Sequence, residues 1–197
     1  MTDFGTATTI GGRIQALRRA RGMRTSKELA DAIGGTMTVS IIENIELGRK
    51  SNLDVAQLLS IAMALQVPPS YVLAPMNRPD APLDLPGLSP AFDGMTAIEF
   101  DSWLASLEDG AHSPTTLDGR TMRFELAALR EWSVATAEIR RLTVMEELER
   151  AEGAGEYTRA ASQRIEEARR EADRLAAMLN AGGWTLPISE EREGKSA

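Results

Sequence analysis

Residues 10–75 read IGGRIQALRRARGMRTSKELADAIGGTMTVSIIENIELGRKSNLDVAQLLSIAMALQVPPSYVLAP. Apolar side chains recur here at helical spacing, in runs that are too short for long helices. The runs end at glycines, which suit the left-handed position after a helix: Gly22, Gly34, Gly35 and Gly48. Pro68 and Pro69 precede the last run, and proline is well accommodated in a first helical turn. The stretch therefore predicts five short helices.

Residues that cap helices well precede the middle three of these runs. Thr25 or Ser26 is placed to cap the second helix, Thr38 the third and Asn52 the fourth, because their side-chain oxygens can accept hydrogen bonds from free amides of the first turn. The third helix is thereby predicted to begin just after Thr38 and to stop before Gly48.

A proline-rich segment follows the five helices. Prolines recur between residues 75 and 90 without a periodic apolar pattern, which is typical of an extended, semi-rigid connection. We therefore expect residues 76–95 to form a linker.

The remaining residues predict further helices. Thr96 and Glu99 fit a capping box at the start of a small helix, whose apolar stripe comprises Phe100, Trp103, Leu104 and Leu107. A long helical pattern then runs from about residue 121 to 152, with apolar positions at Trp132, Ala135, Ile139 and Leu142.

A second long pattern places Ala161, Ile165, Ala168, Ala172, Leu175 and Leu179 at alternating steps of four and three, which is a heptad seam. Gly153 and Gly155 separate the two patterns, so we expect residues 96–185 to contain an antiparallel helical hairpin. Its alanine-rich seam offers little burial, so we expect it to need another surface: the small helix or a second copy of the chain. Residues 186–197 are expected to form a flexible tail.

Charge is distributed unevenly along the 197 residues. The net charge is −7, yet through residue 75 the chain has eight basic and six acidic side chains. No acid occurs between Arg13 and Lys27. Because local field matters more than total charge, this amino-terminal region can still attract phosphate.

Composition argues against several classes of protein. Without cysteine and with one histidine, His112, the chain lacks the usual residues for disulfides, metal sites and nucleophilic catalysis. The carboxylates of residues 146–149 and 166–167 lie in highly charged helical patterns, where solvated surface is the simpler interpretation. We expect no cofactor, no metal and no enzymatic activity. No secretory signal and no apolar run long enough for a membrane span are evident, so a cytoplasmic location is expected.

Residues 10–75 resemble the lambda-repressor-like, Xre-family helix-turn-helix domain of phage repressors and bacterial regulators. The pattern that carries the resemblance is dispersed over all five helices: Leu17, Arg18, Gly22, Glu28, Leu29, Ala30, Ile42, Ile45, Glu46, Gly48, Leu53, Leu58, Ile61, Ala62, Leu65 and Val67. The resemblance implies an all-α chain with a five-helix DNA-binding domain ahead of the linker and the hairpin.

The resemblance implies that Thr38 to Leu47 is the recognition helix, which enters the major groove of double-stranded DNA. Val39, Ser40 and Asn44 match positions that reach base edges. The carboxamide of Asn44 suits adenine N6 and N7, and Val39 could meet a thymine methyl group.

Phosphate contacts are implied at the starts of the second, third and fourth helices and just after the third. The matching residues are Thr25, Ser26, Lys27, Thr38, Arg49, Lys50, Ser51 and Asn52. Arg18 and Glu46 match a structural salt bridge between the first and third helices, and a contact of Arg18 to phosphate is the alternative.

The chain departs from the family pattern at three places. The turn at residues 34–37 and the stretch at residues 22–24 are longer than usual, which could shift the recognition helix. Glu43 places an acid on that helix, where it could weaken DNA binding or exclude certain bases.

Two functional hypotheses follow. The first is a sequence-specific transcriptional regulator that occupies an operator as a homodimer, with half-sites about one helical turn apart. The second is an antitoxin-like or other interaction module whose carboxy-terminal helices bind a protein partner.

Overall fold

The computed structural model describes residues 7–35, 37–50, 52–107, 112–152 and 158–188. Within these ranges the regular structure is helical, which confirms the predicted all-α class. The helices are α1 (Ile10–Ala20), α2 (Ser26–Ile33), α3 (Val39–Glu46), α4 (Val55–Leu65), α5 (Pro69–Leu73), α6 (Ala97–Leu104), α7 (Leu117–Glu152) and α8 (Thr158–Ala181). None of the described helices could cross a membrane.

The predicted caps of α2 and α3 are confirmed. The Thr25 side chain accepts a hydrogen bond from the Glu28 amide, and the Glu28 carboxylate accepts one from the Thr25 amide, which completes a capping box. The Thr38 hydroxyl accepts a hydrogen bond from the Ile41 amide at 3.3 Å. The sequence pattern therefore located the start of α3 correctly.

The prediction that Asn52 caps α4 is wrong. The cap is Asp54, whose Oδ1 accepts a hydrogen bond from the Gln57 amide at 2.7 Å, while Asn52 is exposed. Leu53, just before the cap, and Leu58, four residues after it, both pack against the core. This arrangement resembles a hydrophobic staple, and it places the start of α4 later than Asn52 would.

The turn between α2 and α3 depends on two glycines. Gly34 and Gly35 have φ values of 69° and 64°, a left-handed backbone that other residues rarely adopt. Met37 then inserts into the core with 6% of its surface exposed. Thr36, within the turn of residues 34–37 that we predicted to be longer than usual, lies outside the described residues.

One hydrophobic core joins α1 to α5. Its fully or almost fully buried members come from every helix: Ile14, Leu29, Ile42, Ile45, Ile61, Leu65 and Val72. At about 1.5–3 kcal/mol for each large side chain removed from water, this cluster supplies the main driving force for folding of the five helices.

Residues 76–95, predicted as an extended linker, pack against the end of α5 and the start of α6. Leu83, Leu85 and Phe92 contact a second buried cluster that includes Met95 and Phe100. Prolines interrupt regular structure in this segment without preventing the apolar side chains between them from packing.

Backbone hydrogen bonds also hold this segment. The Leu83 amide donates to the Met95 carbonyl at 3.0 Å, and the Ala97 amide donates to the Ala81 carbonyl at 2.9 Å. The amino-terminal compact unit therefore extends through α6 to Ala105, so the chain divides after α6 and not before it.

Helix α6 begins with the predicted Thr96–Glu99 capping box. Of its predicted apolar stripe, Phe100 is buried, whereas Trp103, Leu104 and Leu107 are exposed. Of the four predicted stripe residues, only Phe100 is therefore buried.

Helices α7 and α8 pack against each other in the second compact unit, as the predicted hairpin requires. The heptad seam of α8 contributes most of the buried positions: Ile165, Ala172, Leu175 and Leu179. Helix α7 begins at Leu117, earlier than predicted, and buries Ala128 and Leu142. The predicted glycine break at residues 153–155 lies outside the described residues.

The chain after α8 begins by folding back onto the hairpin. The side chain of Asn180 accepts a hydrogen bond from the Leu186 amide at 2.7 Å and donates one to the Leu186 carbonyl at 3.0 Å. Trp184 Nε1 donates to Glu125 Oε2 at 3.3 Å. The predicted flexible tail therefore does not include Leu186, and residues 189–197 lie outside the described part.

Candidate nucleic-acid interface

Helix α3 has one face in the core and one face toward solvent. Ile42 and Ile45 are 0% and 2% exposed and anchor the inner face. The opposite positions follow helical spacing of i, i+3, i+4 and i+7; we call them the outer face of α3, and they are Ser40, Glu43, Asn44 and Leu47.

The predicted base-reading residues occupy different parts of this helix. Ser40 is exposed and Asn44 is half-buried, and both lie on the outer face. Val39 is half-buried at its edge and packs against the core.

Sequence reasoning left two members of the outer face without a base-reading role. These are Glu43, which departs from the family pattern, and Leu47, which is 59% exposed. Counting helical positions from the buried Ile42 and Ile45 identifies both residues.

A buried ion pair fixes the end of α3. Arg18 Nε and Nη2 donate to the two carboxylate oxygens of Glu46 at 2.6 and 2.8 Å, and Arg18 Nη1 donates to the Met23 carbonyl at 2.8 Å. The hydrogen bond to Glu46 raises the pKa of Arg18, so the guanidinium remains charged. The structure thus contains the bridge that the resemblance implies.

The same carboxylate reaches α2. The Ser26 hydroxyl donates to Glu46 Oε2 at 3.1 Å. Because Arg18, Ser26 and Glu46 come from α1, α2 and α3, this cluster holds the three helices at one point.

Helix α1 also approaches the backbone of α3 directly. A Cβ atom added to Gly11 would lie 2.1 Å from the Ile45 carbonyl oxygen, far inside contact distance. Only glycine permits this approach without a shift of one helix.

The predicted phosphate contacts at the start of α2 are partly occupied by protein groups. The hydroxyls of Thr25 and Ser26 are engaged in the cap and the α3 carboxylate. Lys27 is 69% exposed but pairs with Asp31, which raises the pKa of the lysine through a hydrogen bond. The Glu28 amide is taken by the cap, and the Ser26 and Lys27 amides, which have no helical acceptors, remain suited to an anion.

The loop after α3 presents a second set of predicted phosphate contacts. Arg49 and Asn52 are exposed. Lys50 is half-buried, and its ammonium donates to Gln57 Oε1 at 2.8 Å. The Lys50 amide donates to the Asn44 carbonyl at 3.0 Å, so this loop is connected to the outer face of α3. Ser51 lies outside the described residues.

The arrangement of these helices agrees with the comparison to known families. Residues 14–72 match the family model described as helix-turn-helix. The amino-terminal domain is a helix-turn-helix domain. The match confirms the resemblance to the Xre, lambda-repressor-like family and supports a DNA-binding regulator. No curated protein and no solved structure matches the chain.

The positive field of the helix-turn-helix domain comes from fewer residues than the sequence predicted. Arg13 is fully buried: its guanidinium donates to Asp84 Oδ2 at 2.7 Å and to the carbonyls of Val72 and Leu73 at 2.9 and 2.8 Å. Arg18 is neutralised by Glu46. Asp84 follows Arg13 by 71 residues, so no local pattern could have revealed this pair.

The cations that remain at the surface of the helix-turn-helix domain are Arg19, Arg21, Arg24, Lys27 and Arg49, with Lys50 half-buried. Within the described residues, no group of three or more acidic, histidine or cysteine side chains could hold a metal ion.

Proposed function

We propose that this chain is a sequence-specific DNA-binding transcriptional regulator of the bacterial or phage type, acting in the cytoplasm as a repressor by occupying its operator. The observation that carries the proposal is the outer face of α3: polar side chains stand on a helix whose inner face and ends are fixed by buried contacts. A helix held in this way presents its outer side chains to the base edges of the major groove with little loss of entropy.

Within this proposal, Asn44 and Ser40 read base edges directly. The carboxamide of Asn44 fits adenine, which offers an acceptor at N7 and a donor at N6. Val39, at the edge of the outer face, is left with an apolar contact to a thymine methyl group.

Phosphate contacts would position α3 in the groove. The start of α2, with Thr25, Ser26 and Lys27, supplies one contact through the amides of Ser26 and Lys27, and the cap of α3 at Thr38 supplies a neighbouring one. Arg49, Lys50 and Asn52 supply another after α3. Each neutralised phosphate would contribute to a salt dependence of binding through counter-ion release.

We also propose that two copies of the chain bind a pseudo-palindromic operator. Support comes from the face of α7 that points away from α8. It exposes apolar residues Val134, Val144 and Leu148, which are 70%, 56% and 60% exposed and, with Ala137 and Arg141, follow alternating steps of three and four. A heptad seam of this kind packs best against another long helix, and α7 of a second copy provides one.

Selection of DNA fragments at physiological salt tests the regulator proposal. We expect the wild-type chain to enrich fragments that share a short motif, and Asn44→Ala to relax the preference at one position of that motif. As a control, Arg49→Ala should weaken binding to all fragments alike and reduce the slope of log affinity against log salt by about 1. Equal retention of all fragments by the wild-type chain contradicts the proposal.

Light scattering of the full chain tests the homodimer. We expect a dimer for wild type, a monomer for Val144→Glu, and a dimer for Ala177→Glu, which places the same charge on an exposed position of α8. A strictly monomeric wild type contradicts the homodimer. If that monomer instead copurifies with a different protein, and Val144→Glu abolishes this association, the antitoxin-like alternative is favoured.

A further inference from the structure

We propose that Glu43 determines specificity by accepting a hydrogen bond from the N4 amino group of a cytosine in the operator. This inference rests on the proposed function, because it requires α3 to lie in the major groove. It assigns a base to the residue that departs most clearly from the expected character of a DNA-binding helix.

Glu43 lies in the outer face of α3, beside Ser40 and Leu47. It follows Ser40 by three residues and precedes Leu47 by four, so the three side chains share one side of the helix. The inner residues Ile42 and Ile45 flank it in sequence but point into the core. A helix placed with Ser40 and Asn44 toward the bases therefore brings Glu43 into the groove with them.

Glu43 is exposed, and no described residue donates a hydrogen bond to its carboxylate or forms an ion pair with it. Two other acids of the domain differ in this respect. Both carboxylate oxygens of Glu46 accept hydrogen bonds from Arg18, and the Glu28 carboxylate accepts one in the capping box of α2. Glu43 thus keeps its full capacity as an acceptor.

The chemistry of an ionised carboxylate restricts the bases that it can meet. It carries acceptors and no donor. In the major groove guanine presents two acceptors, and thymine an acceptor and a methyl group, so both are disfavoured opposite Glu43. The cytosine base itself carries the N4 donor and no acceptor on its major-groove edge, whereas adenine carries the N7 acceptor beside its N6 donor. Cytosine is therefore the preferred base.

An acid at this position also repels the phosphate backbone, so it lowers affinity for every sequence alike. A hydrogen bond to cytosine recovers part of the lost affinity, and it forms only at operators that place cytosine opposite Glu43. The carboxylate would thus increase the difference between specific and non-specific binding while lowering both affinities.

The test compares motifs selected from random duplexes by the full-length wild type, Glu43→Gln and Glu43→Ala at one salt concentration. We expect wild type to require cytosine at one position. Glu43→Gln should lose that requirement and prefer adenine there, because a carboxamide matches N6 and N7. For a duplex with the cytosine pair exchanged, wild-type affinity should fall by about fivefold or more, and that of Glu43→Ala should hardly change. Because Glu43 is exposed, both variants should retain the wild-type melting midpoint.

The results separate this inference from the function on which it rests. A shared wild-type motif that is unchanged in Glu43→Gln, with affinity raised equally for all duplexes, shows that Glu43 only repels phosphate and overturns the inference alone. If wild type selects no motif, the regulator proposal fails and the inference fails with it.

Discussion

Charged residues are used differently in the helix-turn-helix domain and in the hairpin of α7 and α8. In the domain, Arg13–Asp84 and Arg18–Glu46 join residues far apart in sequence, and three of the four side chains are almost completely buried. In the hairpin, Glu138–Arg141 and Glu171–Arg174 are exposed pairs within a single helical turn.

This difference shows where each region tolerates change. Pairs of this exposed kind contribute little to stability, so the loss of either one should hardly change the hairpin. The position of α3 in the helix-turn-helix domain depends on a few contacts that have no substitute. The following substitutions compare the two regions, from the largest expected effect to the smallest.

Glu46→Ala should have the largest effect. It leaves the Arg18 charge buried without its carboxylate partner, which costs about 3–5 kcal/mol of the free energy of unfolding. Chemical denaturation of the full chain measures it. Glu171→Ala removes the same kind of side chain from an exposed hairpin pair and should leave the denaturation midpoint unchanged. Equal losses of stability in the two variants would contradict the difference between buried and exposed pairs.

Gly11→Ala should destabilise the domain by about 1–3 kcal/mol, because the new methyl group must displace the Ile45 carbonyl of α3. Gly12→Ala is the matched control. The three atoms nearest its Cβ would be Thr9 Oγ1 at 3.2 Å and Cβ and Cα of Ala7 at 3.4 and 3.8 Å, none of which overlaps it as the Ile45 carbonyl overlaps the Cβ at Gly11. The intrinsic helix preference for alanine then makes Gly12→Ala neutral or stabilising by up to about 1 kcal/mol. If Gly11→Ala melts like wild type, α1 and α3 do not approach as described.

Asp54→Ala should cost about 1 kcal/mol, since it removes the cap of α4. Asn52→Ala, two residues earlier, should have no effect on the thermal midpoint. The reverse result would restore Asn52 as the cap and would show that α4 begins earlier.

The smallest effect concerns the acid response of the hairpin. Hydrogen bonds from Arg141 and Arg174 lower the pKa of Glu138 and Glu171. A lowered pKa stabilises the folded state above the ordinary glutamate pKa of about 4.3, and this contribution is lost as pH falls through the folded value. The small difference between the melting midpoints of wild type and Glu171→Gln should therefore be constant from pH 7 to 5 and should shrink as the pH falls below about 4.3. A difference that changes between pH 7 and 6 would contradict the assignment.

Local patterns predicted much of the helix-turn-helix domain. Caps such as Thr25 and Thr38 accept hydrogen bonds from amides three residues away, and a glycine ends a helix at its own position. Both features are local, so the sequence reveals them. The heptad seam of α8 could also be predicted from the sequence, because its period is regular over several turns.

The remaining features depend on distant partners. Nothing near Arg13 in sequence shows that Asp84 will neutralise it, so its charge was counted toward the phosphate field. The segment containing Leu83 was predicted as a linker because prolines hide the periodicity of its apolar residues. To define the outer face of α3, one must know which isoleucines are buried, so from the sequence alone Glu43 had no base to read.

Addition of the selected duplex to uniformly ¹⁵N-labelled full-length chain tests the central claim most directly, because backbone amide shifts locate the bound DNA. We predict that the largest shifts fall on Ser40, Glu43, Asn44 and the first turn of α2, while α7 and α8 change little. Shifts concentrated on α7 and α8, with α3 unaffected, would contradict the account.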